Sequence, residues 1–203
     1  NTNPTTGEIY SFVPNSNEQD IEKAIEAAKK AFTDWSKSGI RKRFRLLSRL
    51  ADILEQNAEA FAIAEATDTG KSITQCRMMD IPKAQSNIRF FANAITQFSS
   101  EAFTKEGEMM NYTMNQPIGI VACMTPWNSP LQLLTWKVAP ALAAGNCVIA
   151  KPSELAPMTN YMFSKACIEA GLPPGVLNIV HGKVGQKLLE SPAVKAVTFT
   201  GGS

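Results

Sequence analysis

Three side chains stand where chemistry is easiest to do. Asn128 lies between Pro126 and Pro130, and Lys151 and Glu154 lie three residues apart. Each follows a short apolar run, Ile118 to Cys123 in the first case and Val148 to Ala150 in the second. Short runs without alternation suit strands buried on both faces, as in a parallel sheet. The polar groups then sit at the carboxyl ends of neighbouring strands, where open α/β sheets bind their ligands. The two prolines stiffen the turn around Asn128 and remove two N–H donors. A fixed amide N–H₂ at that point can stabilise a developing oxyanion, or it can cap the helix that starts near Pro130. Lys151 and Glu154 read as ligand contacts or as a surface ion pair worth little.

The elements that must position these groups follow from spacing. Leu131 to Ala144 is long and apolar enough for a covered crossover helix, and Gly145 is a natural stop. The unit is therefore βαβ, and the alternation continues. Strands are expected at 118–124, 147–151, 176–181 and 195–200, with helices at about 130–144, 157–170 and 184–190. The fold class is α/β, a Rossmann-like parallel sheet with flanking helices. A G-x-G-x-x-G fingerprint is absent, and Gly182-Lys183-Val184-Gly185 comes nearest.

The segment before the sheet is largely helical. Glu8 to Val13 reads as a short strand, and Ser16-Asn17-Glu18-Gln19 has capping-box spacing. The helix that follows puts Ile21, Ala24, Ile25, Ala28, Phe32 and Trp35 on one face. Arg41-Lys42-Arg43-Phe44-Arg45 reads as the polar side of a second helix or as an anion patch. A third helix spans Ala58 to about Thr67, and Asp68-Thr69-Gly70-Lys71 forms a turn that lacks the upstream glycine of a P-loop. From Ser72 a helix runs past Phe91, with Pro82 marking a kink or a restart. Glu101 to Gly107 is polar, a loop, and Asn111 to Gln116 alternates like a half-exposed strand.

Composition narrows the classes. The chain has 203 residues, 44% hydrophobic and 19% charged, with a net charge of +2. That balance gives no ground for a nucleic-acid or membrane partner, and no apolar run reaches a membrane span. Four cysteines (Cys76, Cys123, Cys147, Cys167) show no C-x-x-C spacing and read as reduced core residues of a cytoplasmic protein. A single histidine argues against a zinc site, so no metal is expected.

Several stretches together resemble the aldehyde dehydrogenase superfamily: Pro126-Trp127-Asn128, Trp136-Lys137, Pro140 to Asn146, Lys151-Pro152-Ser153-Glu154, Gly171 to Asn178, and Phe199-Thr200-Gly201. Order and spacing fit from Asn3-Pro4 to Ser203. Family members are about twice as long, beyond what one domain needs, so the resemblance implies the N-terminal part of such an enzyme. It implies a helical portion of the NAD-binding domain at 1–100, an oligomerisation hairpin at 101–117 and the first half of the NAD-binding sheet at 118–203. It further implies NAD-dependent oxidation of a small-molecule aldehyde to a carboxylic acid, in a homo-dimer or homo-tetramer. The family's chemistry is thiolate attack, hydride transfer to NAD and thioester hydrolysis. Its nucleophilic cysteine and general-base glutamate lie downstream of Ser203.

By the same resemblance Asn128 is the oxyanion donor, and Lys151 and Glu154 hold the adenine ribose. A carboxylate there accepts from a 2′-OH and repels a 2′-phosphate, which favours NAD over NADP. Thr125, Pro126, Trp127, Ser153, Gly185, Phe199, Thr200, Gly201 and Gly202 lie along the cofactor path, and Lys137 is a structural lysine behind the site. The loop before Gly185 is shorter than is usual there, and Gly202 stands where serine is commoner. Asp80-Ile81-Pro82-Lys83 and Asn87 to Phe91 most resemble the subgroup acting on muconic semialdehydes. Lys83 stands at a position usually Arg, which implies contact with a substrate carboxylate. Ser129 and Gln132 replace large apolar residues of the substrate tunnel, consistent with a more polar aldehyde. The alternative is a truncated, catalytically silent dinucleotide-binding or structural homologue.

Overall fold

The structure, a computed structural model, describes residues 1–105 and 109–202. Its centre is a parallel sheet of β3 (Ile120–Met124), β4 (Cys147–Lys151), β5 (Leu177–Ile179) and β6 (Val194–Phe199). Among the described residues the strand order is β5-β4-β3-β6. Every residue of β3 is buried, as are the first four of β4, which is why both read as unbroken apolar runs. The chain moves outward from β3 through β4 to β5, then returns to the other side of β3 for β6. The order thus reverses between β3 and β6, where a doubly wound sheet opens a crevice at its carboxyl end.

Helices α1 (Glu18–Trp35) and α8 (Gly185–Glu190) cover one face of the sheet. Helices α6 (Pro130–Ala143) and α7 (Met158–Ala170) cover the other. Outside α6 and α7 lie α2 (Ile40–Gln56), α3 (Ala58–Thr69) and α5 (Ile81–Gln97). One continuous core joins these layers, from Ile25 and Trp35 through Leu47 and Leu54 to Leu134, Ile149 and Phe163. Helix α6 ends in a Schellman turn: Gly145 N–H donates to Leu142 and Asn146 N–H to Ala141, with Gly145 at φ +88°. Asn146, buried, turns its side-chain oxygen on the N–H groups of Ile118 and Gly119 at 2.7 and 3.1 Å. The helix stop and the start of β3 are thereby fastened together.

Several sequence expectations are corrected. The capping box is Asn17 with Asp20, one residue later than Ser16 with Gln19, because Ser16 N–H is committed to His181 C=O. Glu8 to Val13 forms no strand. Ile9 makes a lone bridge to Thr2, and the N-terminal ammonium of Asn1 bonds Ser11 C=O, so the segment folds back on residues 1–3 instead of joining a sheet. Helix α3 runs through Thr69 to left-handed Gly70; Asp68 is helical and buried, its carboxylate taking Met158 N–H at the start of α7. Arg43 is also buried, donating to Ala143 C=O at 2.8 Å and to Ser38 C=O. It belongs to the packing between α2 and α6, not to a solvated basic face.

Pro82 marks a restart. A short helix α4 (Ile73–Gln75) passes into a π-helical turn, Cys76–Asp80, and α5 begins at Ile81 with the proline in its first turn. Ala102–Lys105, expected as loop, is strand β1, paired antiparallel with β2 (Met109–Tyr112). Glu106 and Gly107 of that expected loop lie outside the described residues, as does Ser203. The second strand starts two residues earlier than its alternation suggested, and residues 113–116 are irregular.

Candidate functional site

Three loops meet at the carboxyl end of the sheet. The loop after β3 carries Thr125 to Ser129, the loop after β4 carries Pro152 to Glu154, and the chain after β6 carries Thr200 to Gly202. Backbone hydrogen bonds hold them in register: Thr125 N–H donates to Lys151 C=O at 3.3 Å, and Thr200 N–H to Met124 C=O at 3.1 Å. Thr125, Pro126, Lys151 and Thr200 are therefore brought together at the switch point.

Asn128 does not cap α6. The N-cap position belongs to Ser129, and the Asn128 amide makes no hydrogen bond among the described residues. It stands exposed beside Trp127, itself 53% exposed. Thr125 adds a second unused group, a buried hydroxyl without a partner among the described residues. Lys151 Nζ bonds Glu154 Oε2 at 2.9 Å. Burial pushes the Glu154 carboxyl up, but the Lys151 hydrogen bond and charge, with the charge of Lys183, hold it below the ordinary carboxylate range. Glu154 is thus an ionised acceptor, partly open to solvent. Ser153 is occupied locally, its hydroxyl accepting Leu155 N–H at 3.2 Å.

On the β6 side the groups are mostly backbone. Phe199 is 60% exposed, Thr200 follows it, and a side chain at Gly202 would meet open space. Lys137 reaches across from α6 to donate to Thr198 Oγ1 at 3.0 Å. Gly185 opens α8 with the Met124 side chain close by. Before it, Gly182 has φ +98° and presses on Asn15, so any side chain there would collide. His181, buried and with Nδ1 unpartnered among the described residues, has its pKa lowered by burial and then by the charge of Lys151.

Lys83 and Gln132 are more loosely placed. Lys83 is exposed on α5 and makes no side-chain hydrogen bond or ion pair among the described residues. One turn later, Asn87 donates to Gln132 C=O at 3.1 Å and Thr135 Oγ1 at 3.2 Å, so this face of α5 turns toward α6. Gln132 is half-buried beside it.

Sequence reasoning missed a polar cluster under the Asn128 turn. Lys71 Nζ lies 2.9 Å from Asp80 Oδ2 and 3.0 Å from Ser129 Oγ. Nearby Glu65 is fully buried, and burial, aided by the Asp80 charge, pushes its carboxyl up to about 7. Only the unusual Ser129 hinted at this. The four cysteines, all free and buried, offer no nucleophile. Burial raises Cys76 to about 11 and Cys123 and Cys147 to about 12, and raises Cys167 as well, so thiols prevail at neutral pH. A cavity of about 740 Å³ beside Arg43, Phe91 and Pro140 lies at the other end of α6, away from this site. No helix among the described residues is long and apolar enough to cross a membrane.

Known proteins match along the entire chain. The model of the aldehyde dehydrogenase family matches residues 1–203. The 2-aminomuconic semialdehyde dehydrogenase of Bos taurus is 50% identical over 98% of this chain and 42% of its own length. The 5-carboxymethyl-2-hydroxymuconate semialdehyde dehydrogenase of Escherichia coli is 41% identical over 100% and 44%. A putative aldehyde dehydrogenase from Burkholderia cenocepacia superposes with a TM-score of 0.95 at 38% identity, over 98% of this chain and 41% of that one. An indole-3-acetaldehyde dehydrogenase in complex with NAD⁺ does so at 0.94 and 35%, over 97% and 41%. The chain spans about two fifths of the length of these relatives. Such a match, unbroken from first residue to last over the parallel sheet and the helices around it, means that the chain belongs to the aldehyde dehydrogenase family.

Proposed function

We propose that this chain is the NAD-binding portion of an enzyme that oxidises an aldehyde, one carrying a carboxylate, to a carboxylic acid. The observation that carries the reading is the unengaged Asn128 amide, carried on a proline-flanked turn at the same end of the sheet as the Lys151–Glu154 pair. The residues fit a dinucleotide. Glu154 offers an ionised acceptor for ribose hydroxyls, Lys151 holds that carboxylate, and Thr125 brings a hydroxyl still lacking a partner. Trp127, Phe199 and the open backbone at Gly202 flank the path. NAD, when bound, supplies the acceptor for the hydride that leaves the aldehyde carbon.

The contribution of this chain to the chemistry is electrostatic. When a nucleophile adds to the aldehyde carbon, the carbonyl oxygen gains negative charge. Asn128, carried on a turn stiffened by Pro126 and Pro130, donates to that oxygen. Lys83 and Gln132, on facing parts of α5 and α6, give the approach to Asn128 a polar and cationic character suited to a carboxylate. The semialdehydes named for the curated relatives agree with that chemistry. Exposed Phe103, Met109, Met110 and Tyr112 on the β1–β2 hairpin support its reading as a contact in a homo-dimer or homo-tetramer. Four free thiols suit a cytoplasmic protein.

The test is NADH absorbance after adding NAD and 2-hydroxymuconic semialdehyde to the whole protein. NADH is expected to form. NAD binding without NADH from this or a simple aldehyde would instead establish a silent dinucleotide-binding homologue. Lys83→Met should raise KM about tenfold for the carboxylate-bearing substrate and leave a simple aldehyde unaffected. Equal effects on both substrates would remove Lys83 from the site.

A further inference from the structure

Lys71 and Asp80 have no part in the reading above, yet they converge on Ser129, the residue next to Asn128. Both charged side chains are largely withdrawn from water, at 20% and 6% exposure. The ammonium of Lys71 spans Asp80 Oδ2 at 2.9 Å and Ser129 Oγ at 3.0 Å, and Ser129 Oγ lies 3.5 Å from Asp80 Oδ1. Three chain segments are closed into one ring of polar contacts.

Two local features show that the ring has been given precedence over ordinary helix chemistry. Ser129 occupies the N-cap of α6, where a serine hydroxyl normally accepts an N–H of the first turn. Here it makes no cap bond and engages Lys71 and Asp80 instead. Asp80 closes the π-helical turn Cys76–Asp80, a departure from α geometry found frequently at functional sites. Lys71 itself follows left-handed Gly70, which ends α3 and turns the chain toward the cluster.

We propose that Lys71 and Asp80, acting through the Ser129 hydroxyl, are positioning residues that fix the backbone carrying the Asn128 amide. Ser129 is covalently next to Asn128, and its C=O accepts Leu133 N–H at 3.0 Å in the first turn of α6. Its backbone is therefore held by the helix while its side chain is held by the ion pair. The peptide joining it to Asn128 has little freedom left. Pro126 restrains the turn from the other side. The backbone that carries the amide is kept in one place before substrate arrives, which favours electrostatic preorganisation. This inference rests on the reading of Asn128 as the oxyanion donor, and the experiment separates the two.

In the full-length protein, Ser129→Ala and Lys71→Met are made alone and on an Asn128→Ala background. Loss of position acts in the transition state, so Ser129→Ala should lower kcat about tenfold while aldehyde KM and NAD affinity hold. On the Asn128→Ala background the same change should cost nothing further, because its effect runs through that amide. Lys71→Met should behave likewise, and the double Lys71→Met/Ser129→Ala should be no worse than either single variant. Ser129→Ala leaves the Lys71–Asp80 pair whole and decides the matter even if Lys71→Met fails to fold. Undiminished kcat in Ser129→Ala, or an equal loss with and without Asn128, overturns the proposal. If Asn128→Ala itself keeps full kcat, the oxyanion reading falls. If Asn128→Ala loses activity and Ser129→Ala does not, only the positioning role falls.

Discussion

Strands β4 and β6 flank β3 in the same sheet and both run parallel to it, yet they are built differently. The first four residues of β4 are buried, and the strand ends in a side-chain ion pair. Strand β6 alternates between half-buried and exposed residues, with Lys195, Val197 and Phe199 outward, and its register with β3 slips between Ile120 and Val121. Its end presents backbone and two glycines. One edge of the candidate cofactor site is thus set by side chains on a covered strand, and the other by main chain on a half-covered one. Preorganised charge belongs on the first and tolerance of change on the second.

The sharpest way to break this contrast is a pair of truncations. Ile149→Ala in β4 removes a fully buried side chain and should cost about 2–5 kcal/mol in urea unfolding. Val197→Ala in β6 removes one that is 47% exposed and should stay within about 0.5 kcal/mol. Comparable losses would show that the outer face of β6 is packed in the whole protein.

The second pair concerns binding. Glu154→Ala should weaken NAD affinity by about tenfold by calorimetry, the loss of a hydrogen-bonding charge. Gly202→Ser, whose side chain would enter open space, should change it less than about twofold. A larger effect at Gly202 would place the decisive contacts on the β6 side.

The smallest effect is a pH dependence at the end of β5, next to β4. Burial and the charge of Lys151 lower the His181 pKa in the folded chain. The unfolded chain titrates at about 6.5, so it binds more protons just below that pH. The stability that neutral His181 contributes is present above about pH 6.5 and is lost as pH falls through the folded value. His181→Gln should remove that part of the slope in a series of melting curves. An unchanged slope would mean that the imidazole charges freely in the folded state.

The sheet was legible because its signals are local. Apolar runs, a crossover length and the Gly145 stop lie within one stretch, and each strand was found within a few residues. What escaped was made of distant partners. Lys71 meets Ser129 across 58 positions, and nothing near Lys71 in sequence distinguishes it from a surface lysine. Arg43 looked like its charged neighbours until α6 covered it. Strand β1 is too polar to announce itself and exists through pairing with β2. The oxyanion candidate was visible as Pro-Trp-Asn-Ser-Pro, but its freedom from capping was decided by the neighbouring Ser129 position.

The docking of α1 on the sheet has a consequence for biosynthesis. Ile21, Ile25 and Trp35 are buried in the shared core, and α1 packs on β3, β4 and β5, all made long after it. At about 5–20 residues per second, the helix waits on the order of ten seconds for its partners to leave the ribosome. During that interval its apolar face lacks the sheet that covers it in the finished fold. A helix made well before the sheet therefore reaches its final place only once the sheet exists.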